Sequence, residues 1–287
     1  MSTVATAAQP ARARVAGPGR SRRRRWTRFL LPTYSWLVIA YLVFPIAVMI
    51  AYSFNKVTTG LPQVSFGWNG ATTTWYQNWN GVPQLTAAFW LSIRVAIAAT
   101  VVSTVVGTLL ALALVRYQPP RFRGKTVIEQ VMFLIIAVPE IVLGASMLGL
   151  FVTLSVGRGF VTLLLAHVAF SIAFVTVTVR ARMTGYDRSL EEAAADLGAS
   201  SWVTFRAVTL PLIMPGVLAG ALMAFALSID DFVTSNFVSG SSVPFPVWVY
   251  GVTRIGIPPQ VFVFGTAIFA VGICCALASI VLSRRQA

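Results

Sequence analysis

Six apolar runs, almost free of charge, dominate this chain: Thr33–Phe54, Val95–Val115, Val131–Leu154, Phe160–Val179, Leu212–Ile229 and Val261–Leu282. A helix needs roughly 20 such residues to cross the hydrocarbon of a bilayer, and Leu212–Ile229 lies near the lower limit. Inside hydrocarbon each backbone N–H and C=O must find its partner within the protein, which leaves helices or a closed barrel. The two-residue alternation of a barrel strand is absent. The expected fold is therefore all-α, a polytopic membrane protein with six transmembrane helices. Composition agrees: 57% of residues are hydrophobic, 10% are charged and the formal net charge is +14. A disordered basic protein would be poorer in large apolar residues, and a soluble nucleic-acid binder would need far more polar surface.

The basic residues set an orientation. Eighteen of the 22 Lys+Arg fall in the N-terminal segment, in the loop after the second run, between the fourth and fifth runs, and at the C-terminus. The alternate loops hold only Lys56, Arg158 and Arg254, with Arg94 near the start of the second run. By the positive-inside bias both termini are expected to be cytoplasmic. The opposite side is aromatic, with Trp68, Trp75, Trp79 and Trp90 as an interfacial belt before the second run. The first 28 residues carry eight arginines and no acid, a composition expected to form a disordered cytoplasmic tail rather than a nucleic-acid patch. The apolar run behind it is too long for a cleaved signal peptide, and no Ala-x-Ala-like site ends it. Cys274 and Cys275 point about 100° apart on a helix and cannot close a metal site alone. The one histidine, His167, excludes a His cluster and is expected to be packed and hydrogen-bonded.

Between the fourth and fifth runs lies Asp187-Arg188-Ser189-Leu190-Glu191-Glu192-Ala193-Ala194-Ala195-Asp196-Leu197-Gly198. Ser189 and Glu192 have the spacing of a capping box. Alanine favours a helix to Leu197, with Gly198 suited to end it. Ser200 or Ser201 can cap a second short helix through Val208, stopped by Pro211. Leu190, Ala194 and Leu197 share a face. A rigid helix of this kind outside the bilayer suits a docking surface for a cytoplasmic partner.

The spacing Glu192-Ala193-Ala194, three residues, Gly198, nine residues, Val208-Thr209-Leu210-Pro211 resembles the EAA loop of ABC-importer permeases. Val208 departs from the usual isoleucine and keeps an apolar β-branched residue. The resemblance covers roughly Ala87 to Ile280. It implies the type I importer (MetI-like) permease fold, with residues 1–32 as tail, 33–86 as first span and Trp-rich outer loop, and 87–283 as permease core with its EAA loop at 187–211. It further implies that Glu192, Ala193 and Ala194 touch an ABC ATPase dimer. Gly198 would permit the sharp turn, and Val208, Leu210 and Pro211 complete the coupling motif. A second permease subunit and an extracytoplasmic solute-binding protein are implied too. Val138–Gly144, Leu227–Phe232, Phe245–Gly251 and Arg254-Ile255-Gly256 are similar to polyamine permeases of the spermidine/putrescine class, with related iron and anion permeases sharing parts of the pattern.

This chain is not expected to hydrolyse ATP. Gly124-Lys125-Thr126 mimics the end of a phosphate-binding loop, but Pro119 stands where its first glycine belongs. ATP and Mg would be used by the partner ATPase, and no cofactor is expected on this chain. Of the eight acids, Glu140 falls inside the third run and Asp230 and Asp231 at the outer end of the fifth. An ionised carboxylate at the bilayer centre costs about 2.5–3.5 kcal/mol on insertion scales. Either Glu140 lines a route for a cation or it pairs with an arginine or hydroxyl of a neighbouring helix. Either the Asp pair lines that route or it caps a helix end. Trp248 and Tyr250 either stack on ammonium groups or anchor the membrane interface. The expected function is a permease subunit that imports a polyamine by alternating access. The alternatives are the same class importing ferric iron or an organic anion, a passive carrier or channel, and a scaffold or receptor that does not transport.

Overall fold

The structure, a computed structural model, describes residues 23–57, 67–116, 124–185 and 187–284. Most of the expected arginine-rich tail lies outside the described residues, as do Pro119, Arg121 and Arg123 of the loop after the second run. The chain divides into two compact units, one ending at Val48 and one starting at Met49. Helix α1 (Arg23–Tyr52) begins in the first unit. Its large side chains from Leu30 to Phe44 are exposed, as a lipid-facing surface would be.

In the second unit α2 (Thr74–Gln77) precedes α3 (Pro83–Arg116). Pro83 is the first residue of α3, where its missing N–H costs nothing and its fixed φ suits a helix start. With 34 residues, α3 is about 50 Å long. It starts twelve residues before the expected Val95, so Arg94 is a helical residue and not part of a loop. Trp75, expected in an interfacial belt, donates from Nε1 to the Asn55 carbonyl at 2.9 Å.

The third apolar run is not one straight helix. It forms α4 (Lys125–Ala137) and α5 (Glu140–Thr153), bent by 112° at Val138-Pro139. Proline has no N–H to give, and its ring pushes the preceding residue out of helical space. Accordingly Val138 has ψ 133° and Pro139 has ψ 134°. The Pro139 carbonyl then accepts from Val142 N–H at 2.9 Å and Leu143 N–H at 3.1 Å, which starts α5. Each half is about 20 Å long, short of the ~30 Å hydrocarbon.

Helix α6 (Phe160–Met183) follows, then α7 (Ser189–Asp196) and α8 (Ser201–Thr204). A π-turn over Phe205–Thr209 leads into α9 (Leu210–Asp230). After α9 come α10 (Val233–Val238), α11 (Phe245–Val252) and α12 (Gln260–Arg284). Among the described residues there is no strand, only an isolated bridge between Asn55 and Ala71. Among the described residues four helices are long and apolar enough to cross a membrane, and the bent pair makes a fifth if it is one span. In α12 the stretch Gln260–Cys274 is apolar but shorter, so a sixth crossing is not counted among the described residues.

Helices α3, α6 and α9 pack on one another around Ala111, Leu112, Val175, Val179, Met183, Ile213 and Ala224. Small residues permit the approach. A Cβ on Gly107 would fall 2.8 Å from the Val175 side chain and 3.2 Å from the Ile172 carbonyl. A second cluster joins Val95, Phe151, Leu163, Ala166 and Val238 from α3, α5, α6 and α10. Arg180 of α6 pairs with Glu129 of α4 at 2.8 Å.

Two local expectations in the 187–211 segment are corrected. Ser189 does not cap α7 but is its first residue. Asp187 Oδ1 accepts the Ser189 N–H at 2.9 Å instead. Pro211 does not stop a helix, because α8, the π-turn and α9 run on as one span, Ser201–Asp230. The wide turn explains this. Leu210 N–H bonds the Phe205 carbonyl, five residues back, so the register has already shifted where Pro211 withholds its N–H. The expected end of α7 is present. Gly198 has φ +82°, its N–H meets the Ala195 carbonyl at 2.9 Å, and Ala199 N–H meets the Ala194 carbonyl at 3.0 Å. That pair of bonds is a Schellman motif.

Gly107→Leu is expected to wedge α3 from α6 and to destabilise the protein by about 1–3 kcal/mol. Thermal unfolding of the detergent-purified protein should show a lowered midpoint. Gly149→Ala, interior to α5 and where an added Cβ meets nothing within 4 Å, should leave it unlowered or raise it slightly.

Candidate functional site

The break in the third run positions the first site. Pro139 turns the chain so that Glu140 becomes the first residue of α5, where a carboxylate also faces the positive end of a helix dipole. Ninety residues later α9 ends at Asp230, and Asp231 forms the corner into α10. All three acids line one cavity of about 270 Å³, walled in addition by Phe170, Phe174 and Phe232. Irregular backbone at membrane depth is tolerated where it lines such a cavity.

The paired aspartates have different surroundings. Asp230 and Glu140 are exposed. The Asp231 side chain is only 6% exposed. Its Oδ2 accepts the Ser235 N–H at 2.7 Å and its Oδ1 the Thr234 N–H at 3.3 Å. Of the two alternatives for the pair, Asp231 takes the capping geometry while Asp230 stands free of it.

Behind Asp231 is His167, packed and hydrogen-bonded as expected. Its Nδ1 lies 2.6 Å from Ser228 Oγ and its Nε2 3.0 Å from Ser235 Oγ. The same Nε2 is 3.5 Å from Asp231 Oδ2. The ring thus bridges α9 and α10 on either side of the acidic corner. Ser228 and Ser235 were not singled out by sequence. They flank Asp231 at three and four residues, but nothing in their spacing points to position 167.

The two aromatic candidates part company. Trp248 packs, half-buried, in an apolar core with Leu85, Val261 and Phe264, and it does not line the acidic cavity. Tyr250 is 52% exposed and its ring lies 4.7 Å from that of Phe232. Tyr250, Phe232 and Asp230 line a second, mostly apolar cavity of about 560 Å³ among α9, α11 and α12. Asp230 and Phe232 therefore belong to the walls of both cavities.

The second site is the α7 segment. Glu192, Ala193 and Gly198 are exposed and Ala194 is half-buried. Leu190, Leu197 and Trp202 present a further apolar surface, with Leu197 89% exposed. Val208 and Leu210 are half-buried and Pro211 is exposed. Hydrogen bonds from Ser189, from its N–H first, hold the Asp187 carboxyl below the usual range. The sequence did not single out Arg116, the last residue of α3, whose Nη2 reaches Glu191 Oε1 at 2.5 Å.

Residues 104–286 match the family described as binding-protein-dependent transport system inner membrane component. The chain is 37% identical over 259 residues to spermidine/putrescine transport system permease protein PotC of Haemophilus influenzae, covering 90% of this chain and 98% of that protein. It is 36% identical over 258 residues to putrescine transport system permease protein PotI of Escherichia coli, covering 87% and 89%. Among solved structures, a bacterial ABC transporter involved in the import of the acidic polysaccharide alginate matches with a TM-score of 0.64, at 18% identity, over 93% of this chain and 99% of that one. That likeness supports the all-helical permease fold. Several apolar helices, a family match over most of the chain and near full-length relatives agree: this multi-pass membrane protein belongs to the binding-protein-dependent inner membrane permeases of ABC importers.

Proposed function

We propose that this permease imports a polyamine of the spermidine/putrescine kind through the cavity lined by Glu140, Asp230 and Asp231. The observation that carries the reading is the convergence of those three acids, from two distant segments, beside Phe170, Phe174 and Phe232. A polyamine alternates ammonium groups with methylene stems. Carboxylates offset the cost of taking the charges out of water, each pair contributing roughly 4 kcal/mol at 4 Å for an effective dielectric of 20. Phenylalanine faces accept the stems and add cation–π attraction. Names of the related permeases point to the same substrate class. Tyr250 extends the aromatic wall beyond Asp230, and Trp248 supports it from the core.

The coupling side follows from α7. Its exposed Glu192, Ala193 and apolar surface suit the groove of an ABC ATPase, which binds and hydrolyses ATP with Mg. Val208, Leu210 and Pro211 continue the surface into the π-turn and α9. Closure of the ATPase dimer moves α7, and the spans alternate between outward and inward access. An extracytoplasmic binding protein delivers the polyamine, and a second permease subunit completes the path. The chain lies in a bacterial cytoplasmic membrane with both termini inside.

In the assembled importer Asp230→Asn should raise the apparent KM for putrescine or spermidine by about tenfold, equivalent to ~1.4 kcal/mol. Radiolabelled uptake at matched membrane levels checks this. Unlabelled polyamine should compete, and ferric iron or an organic anion should not; the reverse pattern overturns the substrate assignment. Gly198→Val puts a β-branched residue at φ +82°, at roughly 1–2 kcal/mol of backbone strain. It is expected to lower import per ATP hydrolysed in proteoliposomes.

A further inference from the structure

Helix α7 has no buried residue among its eight, yet a coupling helix must move the spans without bending away from them. Apolar packing does not hold it. Three elements instead meet at one carboxylate. Arg116 Nη2, at the end of α3, donates to Glu191 Oε1 at 2.5 Å and to Thr209 Oγ1 at 3.1 Å. The Thr209 hydroxyl donates to that same Glu191 oxygen. Thr209 is fully buried and is the last residue of the π-turn before α9. Beside this triangle Arg188 Nη2 donates to the Val115 carbonyl at 2.8 Å, one of the carbonyls a helix leaves unpaired at its C-terminus.

We propose that Arg116, Glu191 and Thr209 form a clasp that passes the displacement of α7 laterally into α3 and α9, and are positioning residues for coupling. By chain connection alone α7 reaches only α6, across residues 184–188, and α8. The clasp adds α3, which is packed rigidly on α6 and α9 through Gly107, Val175 and their neighbours. The three spans then respond to α7 as one body. The side chains of Arg116 and Glu191 are 36% and 22% exposed. At that exposure solvent screens the ion pair, so it can open and close within a transport cycle. The buried Thr209 hydroxyl fixes where it closes. The location of the π-turn agrees, since such turns recur where a helix does functional work.

The clasp rests on the proposed docking of α7 to an ATPase, and the test separates the two. The whole importer is reconstituted in proteoliposomes, and polyamine imported per ATP hydrolysed is measured with binding protein present. R116Q, E191Q and T209V are each expected to lower that ratio at least fivefold while the ATPase still co-purifies in wild-type proportion. T209S, which keeps the hydroxyl, should retain the wild-type ratio. T209V keeps the side-chain shape and both charges but removes a buried hydroxyl with two hydrogen bonds, so its thermal midpoint is expected to fall slightly, and a role in folding alone would lower that midpoint while leaving its ratio unchanged. L197D, at the exposed residue that follows α7, should release the ATPase. If L197D releases it and the three clasp variants keep the wild-type ratio, the clasp is overturned. If L197D leaves the ATPase bound, the docking of α7 fails and the clasp fails with it.

Discussion

In a bilayer an unpaired backbone amide or carbonyl costs several kcal/mol, and the architecture depends on how this chain meets that demand wherever its helices stop or break. Within α3 and α6 the helical ladder meets it automatically. At Val138-Pro139 the ladder fails, and the Pro139 carbonyl restarts it by accepting from Val142 and Leu143. At the end of α9 the Asp231 carboxylate takes the first amides of α10. Before Pro211 a π-turn changes the hydrogen-bond register. All three repairs fall at or beside a candidate functional site.

Repair and function share residues for a physical reason. A break in a helix brings polar groups to membrane depth, where they need a partner or a water-filled cavity. The cavity between α4, α5, α6, α9 and α10 provides it. Once it exists, further carboxylates are less costly there than in hydrocarbon. Glu140 and Asp230 occupy that space as exposed groups, while Asp231 beside them is held by two amides and lies near His167. Two adjacent acids thereby have different environments, one facing the cavity and the other closing the corner behind it.

Much of this was legible in the sequence. Apolar length located the main helices, because hydrocarbon thickness sets a lower limit on each. Glu192, Ala193, Ala194 and Gly198 were legible because their order along the chain is their order on one short helix and its turn. Glu140, Asp230 and Asp231 were visible as rare acids, but their meeting was not, since ninety residues separate the two segments. The bend at Pro139 was missed, because hydropathy runs on through both halves and Val131–Leu154 reads as one span. The start of α3 was misplaced because its first turns mix Trp90 and Arg94 with polar residues, a pattern that suggests a loop although a helix can present it at an interface. Ser189 was outcompeted as a cap by Asp187, two residues earlier. The clasp of Arg116, Glu191 and Thr209 spans 93 residues and has no local signature.

The central claim is that a cation passes between Glu140 and Asp230. It is tested most directly by a cryo-EM structure of the assembled importer trapped with spermidine in its membrane domain. Amine density within about 4 Å of the Asp230 and Glu140 carboxylates, the range of an ion pair, is the predicted result. Substrate density along a route that leaves this cavity empty would contradict it.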